Sequence, residues 1–165
     1  MLSTKTLTVQ TVGESELLFT REFDAPRALV FDALTRPALV QRWLLGPDGW
    51  TMPICEIDLK PGGKFRYVWR KGGKDMGLSG TFREIVPPER IVHTELFDED
   101  WTGGEAVVTT TLTEARGRTM MTLNVRYASA AGREAALKSG MIDGMSTTYD
   151  RLADMMARGE ISAAS

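Results

Sequence analysis

The 165-residue sequence predicts an α+β fold, a curved antiparallel sheet wrapped around a long C-terminal helix with two short helices after the first strand. One observation is a helical stripe between Ala131 and Ala157. At about 100° per residue, Leu137, Met141, Ile142, Met145, Thr148, Tyr149, Leu152, Met155 and Met156 fall within roughly 140° of arc. Asp143, Ser146, Asp150 and Asp154 lie opposite, so one face is polar. The other observation is a change of period: from Trp50 onward apolar residues alternate in short runs divided by Gly- and Pro-rich turns. A helix about 40 Å long, at about 1.5 Å per residue, needs a broad apolar partner, and those strands are the available surface.

The elements follow in order. Residues 5–12 alternate weakly through Leu7 and Val9, as an edge strand or an N-terminal extension occupying 1–15. Between Glu16 and Phe23, Leu17, Phe19, Arg21 and Phe23 alternate with Leu18, Thr20 and Glu22, which predicts a strand. Asp24-Ala25-Pro26 opens a helix, since proline early in a helix loses no needed N–H, and Leu29, Val30, Ala33 and Leu34 form its apolar side. A second short helix starts with Thr35 as its cap and Pro37 early, with Leu39, Val40, Trp43 and Leu44 apolar, and Gly46-Pro47 ends it. Strands are expected at 51–59, 64–70, 76–86, 90–97, 105–114 and 118–127. The short turns between them include Pro61-Gly62-Gly63 and Lys71-Gly72-Gly73-Lys74, so neighbours pair antiparallel as a meander. The expected organisation is a single domain over 16–160 with a tail at 161–165.

Composition narrows the function classes. A formal charge of −2 and a pI near 5.5 provide no basic field, which argues against nucleic acid and anionic membrane as partners. A single cysteine, Cys55, permits no internal disulfide and suits a reducing compartment. No apolar run approaches the ~18 residues of a membrane span, and Met1 to Gln10 lacks a signal-peptide core, so a cytoplasmic location is expected. One histidine and one cysteine far apart cannot build a zinc site, and the Gly-rich turns match neither a P-loop nor a dinucleotide fingerprint. No metal or cofactor is expected.

Pro61-Gly62-Gly63 is read as a tight reversal needing positive φ, with Asp58 accepting turn N–H groups rather than acting in catalysis. Gly140 and Gly144 are read as allowing close approach of the helix to sheet backbone, because Asp143, Asp150 and Asp154 exclude membrane pairing. Gly77-Leu78-Ser79-Gly80 is one residue too tight for a nucleophile elbow and sits mid-strand. His93 shares a strand face with Ile91, Glu95 and Phe97. His93 and Glu95 are therefore the candidate catalytic pair, a general base and its partner if that face turns inward. The plainer account is a polar pair facing solvent or a satisfied buried histidine. Phe65, Tyr67 and Trp69 alternate with Lys64, Arg66, Val68 and Arg70, giving an aromatic face opposite a mainly basic one. Turned toward the last helix, those rings would meet Met141, Met145, Tyr149 and Met156. Such residues make either a close-packed core or, methionine being adaptable, the wall of an apolar pocket.

Four motifs resemble a known family. Phe23-Asp24-Ala25-Pro26, Val30-Phe31-Asp32-Ala33-Leu34-Thr35 and Arg42-Trp43 resemble the opening of proteins related to the activator of heat-shock protein 90 ATPase. Cys55-Glu56-Ile57-Asp58-Leu59-Lys60-Pro61-Gly62-Gly63 is similar to that family's strand-to-turn signature. The run from Gly80 to Val92 resembles its central strand pair, and Ser139-Gly140-Met141-Ile142-Asp143-Gly144 the start of its last helix. The resemblance spans about residues 16–157 and implies the helix-grip fold of the START/SRPBCC (Bet v 1-like) superfamily, whose members commonly keep a cavity between sheet and helix. Two positions depart from the pattern: Leu44 and Met145 stand where relatives often carry tryptophan, and both are expected to face that cavity.

The resemblance favours a protein that binds a small apolar or aromatic ligand, with Trp43, Phe65, Tyr67, Trp69, His93, Met141, Met145 and Tyr149 as the expected binding residues. Two other readings follow it. One is an enzyme of cyclase/aromatase or hydrolase type using His93 and Glu95 in the same cavity. The other is a stress-response module that engages a chaperone. It ranks last, because the eukaryotic co-chaperone has an extra N-terminal domain for which this chain has no room. A homodimer is left open by the sequence.

Overall fold

A computed structural model describes residues 6–161. The chain runs through β1 (Thr8–Val12), β2 (Glu16–Phe23), α1 (Arg27–Thr35), α2 (Pro37–Trp43), β3 (Thr51–Ile57) and β4 (Lys64–Lys71). It continues with β5 (Lys74–Val86), β6 (Arg90–Phe97), β7 (Ala106–Ala115), β8 (Arg118–Arg126), α3 (Ala130–Lys138) and α4 (Met141–Ala157). The strands form one eight-stranded sheet in the order β1-β2-β8-β7-β6-β5-β4-β3. Every neighbouring pair is antiparallel. The short turns make β3 through β8 a meander, and β2 joins through β8, so α1 and α2 bridge from one side of the sheet to the far edge.

Burial follows the period-two reading. On β2, Leu17, Phe19, Arg21 and Phe23 are all buried. Bulges keep the inner face apolar where strict alternation would fail. On β5 the register shifts between Phe82, opposite His93, and Glu84, opposite Val92. The extra residue leaves Glu84 outside, where its carboxylate accepts from Arg90 Nε at 3.2 Å, and brings Ile85 opposite Ile91. A second shift, in β3 between Thr51 and Ile54, accompanies burial of Met52 at 5% exposure.

Several local expectations need correction. The stretch 131–157 is two helices, broken at Ser139-Gly140. Gly140 has φ +81, a left-handed conformation that ends a helical run. The Ser139 hydroxyl donates to Ala136 O at 2.6 Å and accepts from Met141 N at 3.2 Å, stitching the corner. The gripped helix therefore has 17 residues and spans about 25 Å. Neither glycine serves a close approach to the sheet. A Cβ on Gly140 would meet nothing within 4 Å, and one on Gly144 would stand 3.6 Å from Pro47. Thr35 does not cap α2: its hydroxyl donates to Phe31 O within α1, and Arg36 occupies the cap position.

At the β3–β4 turn, Gly62 has φ +83 as expected, whereas Gly63 is required because a Cβ there would collide with Asp58 O. The Asp58 carboxylate lies 3.6 Å from Lys60 Nζ, and it is the Asp58 carbonyl that accepts from Lys60 N. Lys5, included in the expected first strand, lies outside the described residues, as do positions 162–165 of the expected tail. Ile161, placed with that tail, is 3% exposed and packs in the core.

The apolar interior has two parts. The larger lies between α1, α2, α4 and the sheet and contains Phe23, Val30, Trp43, Phe65, Leu112, Met121 and Leu152. The smaller lies under α3 and contains Leu17, Phe19, Val108, Val125 and Tyr127. Polar ties lock α4 in place. Arg21, 5% exposed at its side chain, donates to Asp150 at 3.1 Å, and its guanidinium lies 5.3 Å from the Phe23 ring. Arg151 donates to Trp43 O at 3.1 Å and Gly46 O at 3.0 Å, while Gly46 N donates to the Thr148 hydroxyl at 2.7 Å. The α2–β3 loop is thus strapped to the last helix through its own backbone groups.

Candidate functional site

The strands β4, β5 and β6 build one wall. Phe65, Tyr67 and Trp69 project from β4 to the inner face, with neighbouring centroids 5.0 Å and 5.8 Å apart. Phe65 lies opposite Gly80, where any Cβ would strike the Phe65 ring and Thr94 O. The missing side chain lets the ring lie over the neighbouring strand. Two indoles are fixed by backbone carbonyls: Trp69 Nε1 donates to Leu44 O at 2.7 Å and Trp43 Nε1 to Ala33 O at 2.8 Å. Tyr149 on α4 packs against Trp43 with centroids 5.6 Å apart.

Between this wall and α4 lies a space of about 590 Å3. Trp43, Phe65, Tyr67, Trp69, His93, Glu95, Met141, Met145 and Tyr149 all line it, so the residues singled out from sequence come together at one place. Leu44 and Met145, the two departures from the family pattern, also line it. Met156 does not; it packs against the core farther along α4. The space reaches the surface near Met76 and Trp101, which are 39% and 37% exposed.

His93 and Glu95 point inward from β6, with side chains 16% and 29% exposed, so a solvent-facing pair is excluded. His93 Nε2 lies 3.1 Å from Glu95 Oε1. A neutral imidazole that donates from Nε2 to the Glu95 carboxylate keeps Nδ1 as an acceptor. Nδ1 is buried without a partner, and the ring stands edge-on to Phe65 at 5.2 Å and close to Phe82 at 6.2 Å. The phenols of Tyr67, Tyr127 and Tyr149 are pushed above the usual range by burial first, with a further contribution from the nearby Glu95 charge. All three remain neutral donors at ordinary pH. Tyr127 O–H donates to Met141 Sδ at 3.5 Å. Burial raises the Cys55 thiol to about 11, so it is a poor nucleophile.

Sequence reasoning missed part of the lining. Pro47 and Trp50 come from the irregular α2–β3 loop, and Trp101 from the β6–β7 turn, where no periodicity assigns a face. Tyr127 sits just past β8, yet it lies within the expected strand 118–127 and on the same alternation as Leu123 and Val125, a signal that could have found it. A second depression of about 570 Å3, at the β3–β4 turn among Glu56, Asp58, Lys60 and Lys64, is open charged surface. Among the described residues no His, Cys, Asp and Glu cluster fits a metal ion, and no helix is long and apolar enough to cross a membrane.

An antiparallel sheet curved around a C-terminal helix, with an aromatic-lined space between them, defines the helix-grip class. The family model for activator of Hsp90 ATPase homolog 1-like protein matches residues 24–157, and the chain belongs to this family. A crystal structure of a protein from Rhodobacter sphaeroides is 36% identical, with a TM-score of 0.87, covering 93% of this chain and 99% of that one. A protein from Nitrosomonas europaea is 25% identical over 91% of this chain and 99% of its own, with a TM-score of 0.80. An AHSA1 protein from Silicibacter pomeroyi, 24% identical over 88% of this chain and 99% of its own, shares the fold with a TM-score of 0.71. The curated proteins searched include no match.

Proposed function

We propose that this protein binds a small, mostly apolar molecule between its sheet and α4. The observation that carries the reading is the space of about 590 Å3 walled by the β4 aromatics and by Met141, Met145 and Tyr149 of α4. Small-molecule sites are typically apolar concavities of about 300–1,000 Å3 with a few fixed polar groups, and His93, Glu95 and Tyr127 are such groups here. The indole anchors of Trp43 and Trp69 hold the walls in place without a ligand, which limits the ordering cost of binding. All four tryptophans line the space, so intrinsic fluorescence reports on it directly. Titration with a library of lipophiles is expected to give saturable single-site changes for at least one chemical class. A flat or non-saturable response throughout overturns the reading.

A second reading rests on the inward His93–Glu95 pair, with its buried and unpartnered Nδ1. An imidazole oriented by a carboxylate can take a proton from a bound substrate. Under this reading a library member is chemically changed by the protein. His93→Gln then abolishes turnover while binding persists. Binding with no chemical change in any member rejects it.

A further inference from the structure

The charge census of the space points to a ligand class, an inference that rests on the binding reading above. With histidine counted neutral, Glu95 is the one formally charged side chain among the described residues lining the space, and no lysine or arginine is among them. The only ion-pair partner of Glu95 among the described residues is His93. That ring meets Glu95 through Nε2 and has no protein partner at Nδ1. The buried Arg21, by contrast, reaches a carboxylate of opposite charge on the exposed Asp150. Glu95 thus presents a partly buried carboxylate to the space, with no lysine or arginine against it among the described residues.

The surrounding rings carry the same sign. Phe65, Tyr67 and Trp69 form a continuous row, and the faces of aromatic rings are electrostatically negative. The resistance of the Tyr67, Tyr127 and Tyr149 phenols to ionisation, due first to burial, also registers Glu95 close to all three. An anionic ligand would meet a carboxylate and a row of rings, with no lysine or arginine among the described lining residues to offset them. A wholly apolar ligand would strip water from Glu95 and return nothing to it. A positively charged head on an apolar body satisfies both the carboxylate and the rings.

We propose that the space is selective for a lipophilic organic cation, an amine or quaternary ammonium group on an apolar body, with Glu95 as counter-ion and the Tyr67 ring beside it. The test uses three probes of similar shape on the full chain, followed by tryptophan fluorescence. These are benzyltrimethylammonium, its neutral all-carbon isostere neopentylbenzene, and benzylsulfonate. The cation should bind at least about tenfold more tightly than the neutral isostere, with the anion weakest. Glu95→Gln should lower cation affinity about tenfold while the neutral isostere stays within about twofold. If the isostere binds as well as the cation, selectivity for cations is overturned and the binding reading stands. If none of the three probes and no lipophile saturates, the binding reading itself fails. Should Glu95→Gln bind neither probe, Glu95→Asp decides: a retained preference for the cation supports the proposal, and a lost one overturns it.

Discussion

Leu152 and Met145 stand two turns apart on α4 and make opposite predictions about truncation. Leu152 is fully buried and has core neighbours on every side. Replacing it with alanine loses the transfer energy of the removed carbons and leaves a new void, which together cost about 3 kcal/mol. For a chain of this size that lowers Tm by roughly 6–12 °C. Met145 is half-buried and borders space that already exists. Its truncation enlarges that space without opening a separate void, so only about half of a methionine's burial energy is lost, roughly 1 kcal/mol. The expected Tm change is about 2–4 °C. Thermal unfolding by circular dichroism, with urea unfolding to check that the m-value holds, measures both variants against the parent. Equal losses would refute the reasoning, because they would mean that the interior is as solidly filled around Met145 as around Leu152.

Gly80→Ala drives a Cβ into the Phe65 ring and Thr94 O, and is expected to cost about 1–3 kcal/mol in urea unfolding and to alter near-UV aromatic signals. An unchanged midpoint would mean that Phe65 does not lie across β5. Gly140→Ala meets no steric neighbour, so its cost is the left-handed conformation alone, roughly 1–2 kcal/mol. A stabilised variant would indicate that α3 and α4 run on as one helix. Folding raises the Cys55 thiol above its ordinary 9.0 and the Tyr67, Tyr127 and Tyr149 phenols above 10.0. Groups raised in this way give stability that is complete below those ordinary values and is lost as pH climbs through the folded ones. Phenolate absorbance should therefore stay low at about pH 10.5 and rise together with unfolding. Normal phenolate titration in the folded protein would refute their burial.

Much of the fold was legible because two-residue and 3.6-residue periods leave direct traces in sequence. Leu17, Phe19, Arg21 and Phe23 alternate and are buried together, and Phe65, Tyr67 and Trp69 share the inner face as their spacing predicts. The family motifs were equally informative, since the matched region covers 24–157. What period alone did not reveal was where period is interrupted. An apolar stripe continues across Ser139-Gly140, yet the backbone turns there; the Lys138-Ser139-Gly140 sequence is a helix-stop signal that the stripe outweighed. The bulge between Phe82 and Glu84 changes which residues of β5 face inward, a shift that alternation does not encode. The residues near the mouth of the space, Pro47, Trp50 and Trp101, come from loops whose faces are set by tertiary ties such as Arg151 to Gly46. The inward turn of His93 and Glu95 could be posed from sequence as one of two faces, and only the curvature of the sheet decides it.

Usable room between sheet and α4 is tested most directly by methyl NMR of the methionines during titration with benzyltrimethylammonium and with neopentylbenzene in turn. Met141 and Met145 line the space, whereas Met121 and Met155 are buried in the core at 0% and 4% exposure. Saturable shifts at Met141 and Met145, with Met121 and Met155 unmoved, are the predicted result. Shifts at none of the four, or equal shifts at all of them, would contradict it.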